Sequence, residues 1–148
     1  MVYVDETGFN EHYAREHAYS KKGVAVFAKV SGKKYARTNL VAGLLNNKIV
    51  GEMLYKENMK SPLFENWFEF TLIPRIPRKS YIVLDNATFH RKKQLRKLAR
   101  KYKCKIIFLP PYSPELNPIE KRWANTKKKL RSNSHLFDDF FQAILFNL

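Results

Sequence analysis

Three carboxylates in this chain stand where chemistry could be done: Asp5, Asp85 and Glu120. Asp85 follows Tyr81-Ile82-Val83-Leu84, an apolar run suited to a strand covered on both faces, as in a parallel sheet. Functional groups collect beyond the carboxyl ends of such strands. A carboxylate there is costly unless it is hydrogen-bonded, paired or bound to a metal. Asp85 could equally cap the turn that follows, a position Asp and Asn favour. The pattern repeats at Met1–Val4, a β-prone run that stops on Asp5. Side-chain alternation sends Asp5 and Glu6 to opposite faces, with Asp5 on the face of Tyr3. Glu120 falls three residues after Asn117 and two after Pro118, in the first turn of a helix. Three converging carboxylates without cations would raise one another's pKa. Hard divalent ions remove that conflict, and Mg²⁺ takes a few carboxylates together with phosphate oxygens and water. Two such ions can activate a nucleophile and stabilise the leaving oxygen in phosphodiester chemistry.

The elements that would position these acids follow from patterning. Asn10–Gly23 is read as loop, Val24–Val30 as a strand and Ser31–Lys34 as a turn. Thr38–Leu45 and Ile49–Tyr55 flank Asn46-Asn47-Lys48 and are expected to pair as a hairpin, forming an antiparallel three-stranded unit with Met1–Asp5. Glu52 is expected to face solvent. Ser61-Pro62 suits an N-cap followed by N1, and Leu63, Phe64, Trp67, Phe68, Thr71 and Leu72 form a stripe at helical spacing. This predicts a crossover helix ended by Pro74 and Pro77. Strand Tyr81–Leu84, a helix over His90–Tyr102 and a short buried strand at Lys105–Leu109 complete a mixed α/β sheet. Asn117, Pro118 and Glu120 predict a near capping box opening a helix with Ile119, Trp123, Thr126 and Leu130 on its buried side. Phe137–Leu148 closes the chain as a short helix packed through Phe140, Phe141, Ile144 and Leu145. Cys104 is expected to be a buried small hydrophobe.

Length and composition set outer bounds. The 148 residues suffice for one domain with a core, and hydrophobic residues at 45% argue against disorder. One cysteine excludes an internal disulfide or a cysteine zinc site. No apolar run approaches a membrane span, and no signal-peptide pattern opens the chain, so a cytoplasmic protein is expected. His12, His17 and His135 lack ligand spacing, and no phosphate-binding Gly-rich loop or Gly-x-Ser-x-Gly motif is present. Net charge is +15 and uneven: residues 1–89 carry 13 basic and 9 acidic side chains, residues 90–148 carry 15 and 4. A basic surface of this density suits a polyanion, above all nucleic acid. Arg91, Lys92, Lys121, Arg122, Lys127 and Lys128, on the two basic helices, are the candidate contacts.

Taken together, Val4-Asp5-Glu6-Thr7-Gly8, Leu84-Asp85-Asn86-Ala87 with His90, and the run from Leu109 through Pro110-Pro111-Tyr112-Ser113-Pro114-Glu115-Leu116-Asn117-Pro118-Ile119 to Glu120 resemble the signature blocks of mariner-type DDE transposases. The bacterial insertion sequence six-thirty family is the nearest match, and its spacing of 34 residues between the second acid and the glutamate recurs here. The resemblance implies an RNase H-like fold of five strands, three antiparallel then two parallel, as one catalytic domain over residues 1–148. It implies Mg²⁺ or Mn²⁺ dependence, with Asp5, Asp85 and Glu120 as metal ligands and Asn86, His90 and Asn117 as supporting residues. It further implies DNA cleavage and strand transfer in a prokaryotic, nucleoid-associated setting, acting on transposon-end and target DNA, with a homodimer among its assemblies. Such transposases carry N-terminal helix-turn-helix modules, and none precedes Met1, so end recognition is expected from a separate polypeptide or to have been lost. Two other readings stay open: a catalytically silent DNA-binding remnant, and an RNase H-like nuclease acting alone.

Overall fold

A computed structural model describes residues 1–11, 36–111 and 113–148. Five strands form one sheet in the order β3-β2-β1-β4-β5. They are β1 (Val2–Asn10), β2 (Arg37–Leu45), β3 (Lys48–Tyr55), β4 (Tyr81–Leu84) and β5 (Lys105–Phe108). The first three pair antiparallel, and β4 and β5 join in parallel. This is the mixed sheet expected from the sequence. The strand expected at Val24–Val30, the Ser31–Lys34 turn and most of the Asn10–Gly23 loop lie outside the described residues.

The β2–β3 hairpin turns on Asn46 and Asn47, with φ of 48° and 62°. Two successive left-handed residues give the tight turn whose twist matches antiparallel strands, and asparagine tolerates that conformation. In β3, Gly51 and Glu52 together oppose Ala42, a bulge made possible by Gly51 at φ +65°. The Gly51 carbonyl accepts the indole N–H of Trp67 at 2.6 Å. That bond ties the crossover helix to the sheet.

Helix α1 (Ser61–Trp67) widens into a π-helical turn over Phe68–Leu72 and tightens into a 3₁₀ turn over Ile73–Arg75. Pro74 thus lies within the last turn, and the helical stretch ends there rather than at a sharp stop. Ser61 does not cap it: Lys60 holds the N-cap position, and the Ser61 hydroxyl donates to the Phe89 carbonyl at 2.7 Å. Phe64, Trp67, Phe68 and Leu72 are buried as the stripe requires, but Leu63 faces solvent. Helix α2 (Lys92–Lys101) buries Leu95 and Ala99 on the same side. On the other side α3 (Ile119–Asn133) buries Ile119, Trp123, Thr126 and Leu130, the four residues of the expected stripe. α4 (Phe140–Phe146) packs on α3 through Ala143 and Ile144, with Leu145 exposed instead of packed. Cys104 is buried, and Glu52 is exposed.

Alternation along β1 divides the core. Val2 and Val4 pack with α1 and α2, whereas Tyr3 and Phe9 pack with α3 and α4. β5 departs from expectation: among the described residues it is the last strand of the sheet, and Lys105 and Ile107, alternate residues on one face, are exposed.

Candidate active site

β1 does not stop at Asp5. It runs on to Asn10 because β2 pairs with it along its whole length, whereas β4 pairs only with Val2 and Tyr3. Val2 opposes Ile82 and Tyr3 opposes Val83, so the same register carries Asp5 level with Asp85, just past the last residue of β4. Asp5 is therefore a mid-strand residue, not a strand-ending one. What ends beside it is the parallel partner.

β5 and the segment after it close the site from one side. The Leu109 N–H donates to the Leu84 carbonyl at 2.8 Å, and the Asn86 amide donates to the Leu109 carbonyl. The chain then passes Pro110, Pro111 and a 3₁₀ turn at Pro114–Leu116 before entering α3. The expected capping box is not formed. Pro118 holds the N-cap position without a side-chain bond, and the Asn117 amide donates to the Val4 carbonyl at 3.4 Å. Asn117 thereby fixes the start of α3 against β1 one residue before Asp5. Glu120 is left exposed in the first turn, its carboxylate not drawn into capping. Asp5, Asp85 and Glu120 line one cavity of about 440 Å³, together with Asn86, Asn117 and the Leu109–Pro111 and Ser113–Pro114 segments.

The two aspartates differ in surroundings. Asp5 Oδ2 accepts the Trp123 indole N–H at 3.0 Å. Burial, then the charges of Glu120, Glu6 and Asp85, push its carboxyl up to about 8. Asp85 Oδ1 accepts the Ala87 N–H at 3.1 Å and lies 3.2 Å from His90 Nδ1. The turn-capping role and a place in the cavity thus coexist. Its hydrogen bond with His90 holds the carboxyl below the usual range, against burial. His90 is buried between the rings of Phe64 and Phe89, at 4.4 and 4.5 Å between centroids. Burial lowers its pKa, but Asp85 and Glu6 outweigh that and carry it up to about 9. Glu6 was not singled out from sequence. It points to the face opposite Asp5, where its Oε1 stands 3.8 Å from His90 Nε2, an electrostatic contact too long for a hydrogen bond. Alternation along β1 and the arrival of His90 after β4 were the signals that could have linked the two.

Whether these residues suit a divalent cation can be judged from their chemistry. Carboxylate oxygens are the donors a hard cation takes, and a carboxyl raised by its neighbours' charges favours replacement of its proton by a metal. Two buried side-chain atoms of residues lining the cavity, Asn86 Oδ1 and Asn117 Oδ1, have no hydrogen-bond partner. A hydrated site can satisfy such atoms. Among the described residues no three His, Cys, Asp or Glu side chains are yet gathered around a single point. The donor set fits; in this conformation it is open.

The basic candidates separate. Arg91 forms a two-pronged ion pair with Glu65, 2.7 and 2.5 Å, and Lys101 pairs with Glu69 at 2.7 Å. These acids lie on the crossover helix, so the absence of acids within α2 did not mean unpaired charge. The Arg122 guanidinium donates to the Leu148 carbonyl and anchors the chain end on α3. Lys92 lies over the Phe108 ring at 5.0 Å and Lys127 over Phe9 at 6.0 Å. Lys121 and Lys128 are exposed, Lys121 beside Glu120 in a smaller cavity.

A family model described as "DDE superfamily endonuclease" matches residues 1–142. No curated protein sequence matches the chain. Among solved structures, "Mos1 transposase paired-end complex with left transposon end" superposes with a TM-score of 0.75 at 18% identity, over 98% of this chain and 45% of that one. "Crystal structure of the mariner Mos1 paired end complex with Mg" gives 0.72 at 18%, over 98% and 45%. "Crystal structure of catalytic core domain of BIV integrase in crystal form I" gives 0.53 at 12%, over 99% and 78%. The chain spans under half the length of those transposase chains. The fold is the RNase H-like one these catalytic cores share.

Proposed function

Since this chain belongs to the DDE superfamily endonucleases, whose family model matches residues 1–142, we propose that it is a transposase catalytic domain that cleaves and joins DNA phosphodiesters. The observation carrying this is the register that sets Asp5 and Asp85 level on adjacent parallel strands, with Glu120 lining the same cavity. Asp5, Asp85 and Glu120 would hold Mg²⁺ or Mn²⁺, two ions in the full site. When bound, such ions lower the pKa of the attacking water or 3′-hydroxyl and stabilise the leaving oxygen.

The chain's own residues have separable tasks. Trp123 holds Asp5 Oδ2 in place, and His90 with the Ala87 N–H holds Asp85 Oδ1. Asn86 and Asn117 pin the exits of β5 and the entry of α3 to the strands that bear the aspartates. Glu120, exposed in the first turn of α3 and free of a capping box, keeps its carboxylate available to a cation. Residues 1–148 act as one catalytic domain in this reading. Its partners are transposon-end and target DNA, a second copy in a homodimer, and a separate end-recognising polypeptide. The bacterial insertion sequence six-thirty group, in a cytoplasmic, nucleoid-associated setting, is the placement that the motif spacing favours.

The test is Mg²⁺-dependent nicking of supercoiled DNA by the wild-type chain and by Asp5→Asn, Asp85→Asn and Glu120→Gln. Activity lost in all three, with DNA binding retained, supports the assignment. A folded variant that nicks at the wild-type rate removes its residue from the catalytic set.

A further inference from the structure

Beyond Asp5, among the described residues, β1 continues with β2 on one side and no strand on the other, so Glu6–Asn10 forms an edge ledge leading away from the cavity, with β3 behind β2 as far as Asn39. Gly8 sits on that ledge, and its backbone is not in the left-handed region. What a side chain there would meet is the Arg37 guanidinium: an added Cβ would overlap Nε, Nη2 and Cζ. Arg37 therefore lies flat across the strand in space that only glycine leaves. Its Nε donates to Asn39 Oδ1 at 3.0 Å, and the Asn39 amide donates to the Glu57 carbonyl at 3.1 Å. One edge of the guanidinium is thus fixed while the residue stays exposed. Arg91 and Lys101 are matched by glutamates, whereas no carboxylate among the described residues forms an ion pair with Arg37. Arg37 shares one electrostatic neighbour with Glu6 and Asp5, the Tyr55 hydroxyl. The Tyr55 hydroxyl, pushed up to about 12 by burial first and by Glu6 next, is drawn back by Arg37.

We propose that Arg37 is a phosphate-binding residue for the DNA strand entering the catalytic cavity, seated by Gly8 and oriented by Asn39. Gly8 stands three positions past Asp5, roughly 10 Å along β1 and on the opposite face of the sheet, or about three nucleotide steps for a strand that crosses the edge of β1 left unpaired beyond β4 among the described residues. A guanidinium held at one edge offers its remaining N–H groups as a fork, the geometry that binds phosphate bidentately. This inference rests on the DNA-cleaving reading above.

The experiment measures binding of the full chain to a short fluorescein-labelled duplex in EDTA, by anisotropy across a salt series. Arg37→Gln should lower affinity at low salt by roughly five- to tenfold and make the salt slope shallower by about one. Arg37→Lys should keep the slope but lose part of the affinity, because the fork is gone. Gly8→Ala, which evicts the guanidinium without removing charge, should also weaken binding. Arg78→Gln, at the opposite end of the sheet before β4, should change neither quantity by as much. The Arg37 variants alter only an exposed side chain, so they decide the matter even if Gly8→Ala unfolds. Wild-type affinity and slope in folded Arg37→Gln, or an equal loss in Arg78→Gln, would overturn the proposal. Failure of the wild type to bind DNA would overturn both this and the reading beneath it, whereas absent nicking with intact, Arg37-dependent binding would strike the catalytic reading alone.

Discussion

Asp5 and Asp85 stand level on neighbouring strands, yet their proton affinities are driven in opposite directions. Asp5 is raised from 3.8 to about 8, so the folded chain holds a proton that the unfolded chain gives up. The stability linked to it is complete below the unfolded value and drains away as pH rises toward 8. His90, raised from 6.5 to about 9, works the same way over the upper half of that window. Asp85 is lowered, so its contribution is present above 3.8 and is lost as pH falls through the folded value. In EDTA the melting temperature should therefore decline between about pH 4 and about pH 9, with a separate loss in strong acid. Saturating Mg²⁺ should flatten the upper decline, because a cation replaces the proton on Asp5. A metal-free melting temperature that is constant across this window would count against the arrangement. Asp85→Asn follows from the same contacts. An isolated, repelled carboxylate would be expected to gain stability on neutralisation, but Asp85 is already paired with His90 and bonded to the Ala87 N–H. With half of its side chain solvated, the pair is screened, and the substitution should cost about 1 kcal/mol in urea denaturation while abolishing nicking. A variant more stable than wild type would mean that the His90 pairing contributes nothing.

Secondary structure that depends on local pattern is where sequence and fold agree most closely. The apolar run Tyr81–Leu84, the Asn46-Asn47 turn and the four-residue stripe of α3 each carry their own instructions in period or turn chemistry. The departures all depend on partners distant in the chain. β1 outruns its apolar start because β2 pairs with it as far as Asn10. Ser61 and Asn117 have ideal capping chemistry, yet tertiary carbonyls at Phe89 and Val4 claim their side chains. β5 reads as buried from Ile106 and Ile107, but edge position is a property of the whole sheet. The Gly51 bulge is of the same kind, and its cost can be measured. Gly51→Ala places a Cβ at φ +65° and 3.2 Å from the Leu72 Cα, in the strand that holds Trp67. A loss of about 1–3 kcal/mol is expected from the strained backbone and the tight contact. An unchanged denaturation midpoint would show that the bulge can slide to another residue.

Across the whole molecule, charge is distributed by use rather than by count. The net charge of +15 includes cations already matched within the fold: Arg91 with Glu65, Lys101 with Glu69, and Arg122 with the Leu148 carbonyl. These should contribute less to DNA binding than their sequence clustering suggests. Lys92, Lys121 and Lys128 are exposed and not matched by any carboxylate ion pair among the described residues. Lys121 adjoins Glu120, whereas Lys128 is eight residues along α3, about 12 Å at the helical rise. Replacing Lys92 and Lys121 together by glutamine should make the salt slope for duplex binding shallower by about two, and equally for unrelated sequences. Arg91→Gln should change the slope by much less than one, because removing it frees Glu65 rather than vacating a phosphate. It should instead lower stability modestly, since the pair is exposed on the arginine side and screened there. Anisotropy titrations across salt, repeated with two unrelated duplexes, separate these outcomes. If Arg91→Gln alters the slope as much as Lys121→Gln does, the ion pair with Glu65 opens on DNA, and the phosphate-tracking face extends onto the start of α2. If the lysine variants weaken only one of the duplexes, these side chains read bases instead of phosphates, and the basic face has a different purpose.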